Sequence, residues 1–107
     1  MEAYNWVHKN DICVFLNGNR YGTTCKNSRG VLNILKYYAI RKFLDIDVTR
    51  STFFKENLAM YSNWPTFPQL FIKGQFMGGY ADVKAKHDSG KLEEILIHND
   101  IIEKVDE

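Results

Sequence analysis

Cysteine, proline and tryptophan are scarce in this chain, with two of each among 107 residues. Two cysteines cannot make a disulfide-dense scaffold, and a chain of this length buries a core without metal or disulfide staples. The length reads as one domain, residues 1–107. An excess charge of one sign is also lacking. The 14 Lys and Arg against 13 Asp and Glu leave a formal +1, which argues against a nucleic-acid or membrane-surface partner, since both leave a basic excess. No apolar run approaches the roughly 20 residues of a membrane span, and Met1–Asn10 lacks the apolar region of a signal peptide. A cytosolic home is the expectation, or a mitochondrial one if a targeting segment has been trimmed away. The histidines His8, His87 and His98 lack metal-ligand spacing and read as surface residues. There are no repeats and no low-complexity segments.

The hydrophobic content of 45% is enough to bury a core, and its pattern sets an order of elements. Glu2–Lys9 reads as a short helix and Asp11–Leu16 as a strand, with Asn17–Thr24 as loop. A helix is predicted from about Cys25 to Tyr38, where Val31, Leu32, Ile34, Leu35 and Tyr38 recur at helical spacing. Phe43–Asp47 reads as a second strand. Ser51 resembles an N-cap for a helix to about Tyr61. Leu70–Lys73 and Phe76–Met77 flank Gly74 as a hairpin. A last helix covers Lys91–His98, ended by Asn99. The charges of Lys84–Lys91 read as a solvated face. Trp6 and Trp64 read as packing residues, and Tyr37, Tyr38, Phe53 and Phe54 as core and helix-face residues. The resulting α-β-α-β-α-β-β-α order makes an α/β fold of thioredoxin-like arrangement, a four-stranded mixed sheet with helices on both faces.

The residues that carry chemistry lie in two places. Cys13, in the apolar run Ile12–Leu16, reads as a small buried hydrophobe. Cys25 sits in polar, glycine-containing sequence just before a predicted helix. A cysteine at a helix N-terminus faces unpaired backbone N–H groups and the positive end of the macrodipole, which favour the thiolate. Lys26 adds positive charge. Ser28 stands where a Cys-x-x-Cys motif would place its second thiol, so no internal disulfide closes there, and an outside thiol such as glutathione is needed for any redox cycle. The second place is Trp64-Pro65-Thr66-Phe67-Pro68-Gln69-Leu70-Phe71-Ile72, followed by Gly78-Gly79. A proline that opens a strand sits at an edge, bulge or tight turn. A cis Phe67–Pro68 bond would turn the backbone groups before Pro68 outward, where an extended peptide can pair with them.

The stretch YSNWPTFPQLFIKGQFMGG, from Tyr61 to Gly79, closely resembles the monothiol glutaredoxins. Val83-Lys84 and Ser89-Gly90 continue the likeness, which spans nearly the whole chain. Seven residues between Asn17 and Cys25 fit the extended active-site loop of that class. The resemblance implies a thioredoxin fold with a glutathione groove. It also implies a [2Fe-2S] cluster shared between two subunits, each giving one cysteine, with two glutathione thiolates completing four-sulfur ligation. The protein would then be a monomer when apo and a cluster-bridged homodimer when loaded, with iron-sulfur client proteins as partners. By the same resemblance Cys25 is nucleophile and cluster ligand. Thr66, Phe67 and Pro68 form the loop that pairs with the glutathione backbone. Lys55 takes the place of an arginine that holds the glycine carboxylate, keeping the charge without the bidentate fork. Gly79 and the main chain of Tyr80 cradle the γ-glutamyl end.

The chain also departs from the family pattern. The signature Cys-Gly-Phe-Ser here reads Cys25-Lys26-Asn27-Ser28. Asn17 replaces a lysine, and Ala81 replaces an aspartate, with Asp82 one position later. Each lost charge-assisted hydrogen bond costs about 1.5–3 kcal/mol, so two such losses weaken glutathione binding more than tenfold. Lys26 either crowds the space where two subunits approach or stabilises thiolate and carboxylate. Three functions are therefore open. The first is binding and transfer of a glutathione-ligated [2Fe-2S] cluster through Cys25. The second is glutathione-dependent thiol-disulfide exchange (deglutathionylation) at the same cysteine. The third is an interaction module that has lost glutathione.

Overall fold

Strand β1 (Ile12–Leu16) is buried at every position, and its side chains alternate between two apolar clusters, as the period of a strand dictates. In the computed structural model, which describes residues 2–104, Ile12, Val14 and Leu16 enter the larger cluster. Cys13 and Phe15 enter the smaller one. A strand buried on both faces reads as a continuous apolar run, and this one lies at the centre of the sheet. The strand order is β2-β1-β3-β4. β2 (Leu44–Asp47) runs parallel to β1, pairing Cys13 with Leu44 and Leu16 with Asp47. β3 (Gln69–Ile72) runs antiparallel on the other side, and β4 (Gln75–Gly78) closes the hairpin.

Helices cover both faces. α1 (Glu2–Lys9) and α3 (Thr52–Ser62) bring Ala3, Val7 and Leu58 to the smaller cluster. α2 (Lys26–Tyr37), α4 (Tyr80–Asp88) and α5 (Lys91–His98) bring Val31, Ile34, Leu35, Val83, Leu92 and Leu96 to the larger one. Each such aliphatic side chain stabilises by roughly 1.5–3 kcal/mol when fully buried. The helix ends are capped locally. Ser51 Oγ accepts the Phe54 N–H at 3.0 Å, and a 3-10 turn at Val48–Arg50 leads into that cap. The hairpin turn places Lys73 and Gly74 at positive φ, and a side chain on Gly74 would strike the His8 ring on α1. Asn99 ends α5, and the left-handed residue is its neighbour Asp100.

Three expectations need correction. The order of elements omits α4, which takes in Lys84–Asp88, five of the eight residues read as a charged face. That helix buries one side chain, Val83, so it has no apolar stripe to announce it. Its start is set by capping, with the Gly79 N–H donating to the Asp82 carboxylate at 3.2 Å. Second, Tyr37 and Phe53 are 71% and 76% exposed, although they flank the helical stripes that bury their neighbours. Third, His87 is half-buried rather than a surface residue, bonded to the Tyr38 hydroxyl at 2.6 Å with its ring edge against Tyr37. His8 and His98 are exposed as expected.

Candidate active site

The loop from Asn17 to Thr24 carries the chain from the end of β1 to the start of α2, and hydrogen bonds hold it in shape. At its tip Asn19 and Gly22 exchange backbone bonds, both 3.2 Å, and the Asn19 carboxamide accepts the Tyr21 N–H at 2.8 Å. Arg20 lies across the loop's base, bonded to Asp45 at 3.0 Å and stacked 3.7 Å from the Phe43 ring centroid. The Gly18 N–H donates to Asp47 at 3.2 Å. Gly18 has a φ of +114°, and a Cβ there would collide with Thr23, so the turn requires glycine. The Thr23 hydroxyl donates to the Asn17 carbonyl and accepts the Cys25 N–H at 3.0 Å. Arg29 binds the Thr23 carbonyl at 3.1 Å.

Cys25 is the N-cap of α2, with extended backbone and its sulfur accepting the Ser28 N–H at 3.5 Å. The Asn17 carboxamide donates to the same sulfur at 3.6 Å. Desolvation pushes this thiol up, but hydrogen bonds outweigh it. They come from the hydroxyl and N–H of Ser28, the Asn17 amide and the Asn27 N–H, and the thiol sits below its ordinary value. The direction is set by these donors and owes nothing to the charge of Lys26, which is exposed. Ser28 itself is fully buried, and its hydroxyl accepts the Asn17 N–H at 3.1 Å. The other cysteine is the opposite case. Burial, with Asp45 nearby, pushes the Cys13 thiol up to about 12.

The Phe67–Pro68 bond is cis. The Asn17 amide also reaches the Phe67 carbonyl at 3.4 Å, so one side chain links the sulfur to the proline loop. Gln69, fully buried, clamps that loop from below, donating to the Trp64 and Thr66 carbonyls, each at 3.1 Å. A groove of about 720 Å3 opens between loop and helix, lined by Asn17, Gly18, Gly22, Thr23, Thr24, Cys25, Thr49 and Lys55. The Lys55 ammonium stands 5.9 Å from the Phe67 ring centroid. A polar groove carrying one activated sulfur and one cation suits an anionic ligand with a thiol or disulfide.

A sequence model of the glutaredoxin family matches residues 12–77. The chain belongs to the glutaredoxin family. It is 38% identical over 92 residues to a probable monothiol glutaredoxin 2 of Rickettsia typhi, covering 86% of this chain and 82% of that one. It is 34% identical to rice monothiol glutaredoxin-S11 over 89% of its own length, which is 19% of that longer protein. Among solved structures it is similar to reduced apo GrxS14 of poplar, with a TM-score of 0.78 and 30% identity over 92% of this chain and 89% of that one.

In this glutaredoxin, then, the predicted site residues divide into groups. Cys25 and Lys55 share the groove, with Phe67 beside them. Thr66, Phe67, Pro68, Gly79 and Tyr80 are not among the groove's walls, and Phe67 and Pro68 are buried. Thr66 is exposed, and its carbonyl is already bonded to Gln69. Gly79 heads α4 close to the Pro68 carbonyl and the Trp64 indole nitrogen, which is buried without a partner among the described residues. The Tyr80 ring packs over Gly30, where a Cβ would come within 2.3 Å of it. Sequence reasoning treated Asn17 only as a lost cation and passed over Gln69 and Thr49. The signal for Gln69 was present, as a polar residue opening an otherwise apolar strand. That Asn17 bonds a residue 50 positions away had none.

Proposed function

We propose that this monothiol glutaredoxin binds and transfers a [2Fe-2S] cluster together with glutathione, with Cys25 as its one protein ligand. The observation that carries this reading is a thiolate-favouring sulfur at the mouth of a groove with no second thiol to pair with. Cys13 is sealed in the central strand, and Ser28 fills the position of a resolving cysteine. Among the described residues no three or more His, Cys, Asp or Glu gather as a metal site. A thiolate is the right kind of donor for an iron-sulfur cluster, so the remaining sulfurs would come from glutathione and a second copy. Lys55 offers a cation to a glutathione carboxylate, and Phe67 offers its main chain to the glutathione backbone. The γ-glutamyl end is the weaker match, because Asp82 already occupies the Gly79 N–H. Anaerobic reconstitution with iron, sulfide and glutathione tests the reading. A brown dimer that turns colourless in Cys25→Ser supports it, and a colourless wild-type monomer overturns it.

The same sulfur supports a second reading, glutathione-dependent thiol exchange. The Cys25 thiolate would attack the glutathione sulfur of a mixed disulfide, releasing the substrate thiolate. A free glutathione thiolate would then attack that new disulfide, leaving as glutathione disulfide and returning Cys25 reduced. The buried Ser28 hydroxyl favours this two-glutathione route over an internal disulfide. Turnover of a glutathionylated substrate that disappears in Cys25→Ser would support it. Absence of glutathione binding by calorimetry would overturn both readings and leave an interaction module.

A further inference from the structure

The formal charge of +1 conceals a division. Residues 17–44 carry six Lys and Arg and no Asp or Glu, a net +6, against a net −5 in the rest of the chain. The fold gathers that basic segment around a second groove, of about 660 Å3, between the loop tip, the outer side of α2 and the turn before β2. Arg20 is neutralised there by Asp45. Arg29, Lys36 and Arg41 also line it, all three exposed and, among the described residues, without a carboxylate partner. Its apolar floor includes Leu32 and Phe43, both half-buried. Tyr21 stands at the rim with 92% of its surface exposed. Exposed tyrosine and arginine beside an apolar floor are the usual anchors of a protein contact.

We propose that this groove docks an acidic segment of a partner protein, its carboxylates on Arg29, Lys36 and Arg41 and an apolar side chain on the Leu32–Phe43 floor. Gly22 and Thr23 line both this groove and the one that holds Cys25, so a segment seated here presents its neighbouring residues to the sulfur. What passes between partner and sulfur rests on the function proposed above, whereas the docking itself does not. A protein segment suits the groove better than nucleic acid. Its cations without a carboxylate partner among the described residues are three, the floor is apolar, and the acidic remainder of the molecule repels a long polyanion.

The test is titration of the full chain with a ten-residue peptide of alternating Glu and Leu, followed by backbone amide shifts and fluorescence anisotropy. The proposal expects shifts confined to residues 20–43, and affinity lowered about tenfold or more in Lys36→Glu/Arg41→Glu, whose thermal unfolding serves as the fold control. Cys25→Ser should bind the peptide as the wild type does. Thus a colourless reconstitution sinks the cluster reading and leaves docking standing. Shifts elsewhere, or affinity indifferent to the double reversal, overturn the docking. Tighter binding of a ten-nucleotide oligo-dT at the same residues assigns the groove to nucleic acid and overturns it too. Concentration-dependent self-association through those residues without peptide overturns it in favour of a second copy.

Discussion

Cys13 and Cys25 lie twelve positions apart and are, as bare side chains, the same acid. One sits in a central strand with apolar neighbours on both faces, and its proton is held to about pH 12. The other caps a helix, surrounded by donors from Asn17, Asn27 and Ser28, and releases its proton below the ordinary value. Burial alone pushes both thiols up. What separates them is depth of burial, complete for Cys13 and partial for Cys25, together with the hydrogen-bond donors that converge on the Cys25 sulfur. In this fold the helix mouth raises thiol acidity and the strand interior suppresses it.

The sharpest way to break that comparison is to label the native protein with iodoacetamide at neutral pH. Cys25→Ser should abolish labelling entirely, and Cys13→Ala should leave it at one equivalent. A second equivalent in the native wild type would show the strand to be open. The next effect belongs to Cys13. Its thiol stays neutral in the folded state to about 12, against an ordinary value near 9. A raised pKa contributes stability in full below about pH 9, and that contribution is lost as the pH climbs toward about 12, at roughly 1.4 kcal/mol per unit. Chemical denaturation across that range should show a steeper decline in wild type than in Cys13→Ala.

Smaller effects sharpen the contrast. Asn17→Ala removes one donor from the Cys25 sulfur, so the pH midpoint of its alkylation should move up while labelling of Cys13 stays absent. An unmoved midpoint would assign the whole effect to the helix end. Ser51→Ala removes the α3 cap and should cost about 1 kcal/mol in denaturant unfolding. The alkylation midpoint should not change, because no atom of that cap touches the sulfur.

Much of this architecture was legible in local sequence. The run Ile12–Leu16 reads as a buried strand because every residue is apolar, and Ser51 and Gly74 announce a cap and a turn by side-chain chemistry alone. The more acidic cysteine is legible for the same reason, since its place before a helical stripe already implies the N–H groups facing it. α4 was not legible, because one buried side chain gives no period and the Gly79–Asp82 cap carries its start. Asp82, one position past the family aspartate at Ala81, was left open by the sequence, and its carboxylate accepts the Gly79 N–H at the start of its own helix. The groove's polar clamps were equally hidden. Asn17 meets Phe67 across the sheet, and such pairings of distant residues leave no local pattern.

The Asn17 carboxamide spanning the Cys25 sulfur and the Phe67 carbonyl has one more consequence. Where a lysine would hold a thiolate by charge, an amide holds it by dipole, and mobile ions screen dipoles at contact distance very little. The acidity of Cys25 should therefore be nearly the same in dilute buffer and in molar salt, whereas contacts made by exposed Arg29, Lys36 and Arg41 fade as ionic strength rises. Under the docking proposed for that groove, salt becomes a dial that turns recognition down and leaves the acidity of Cys25 in place.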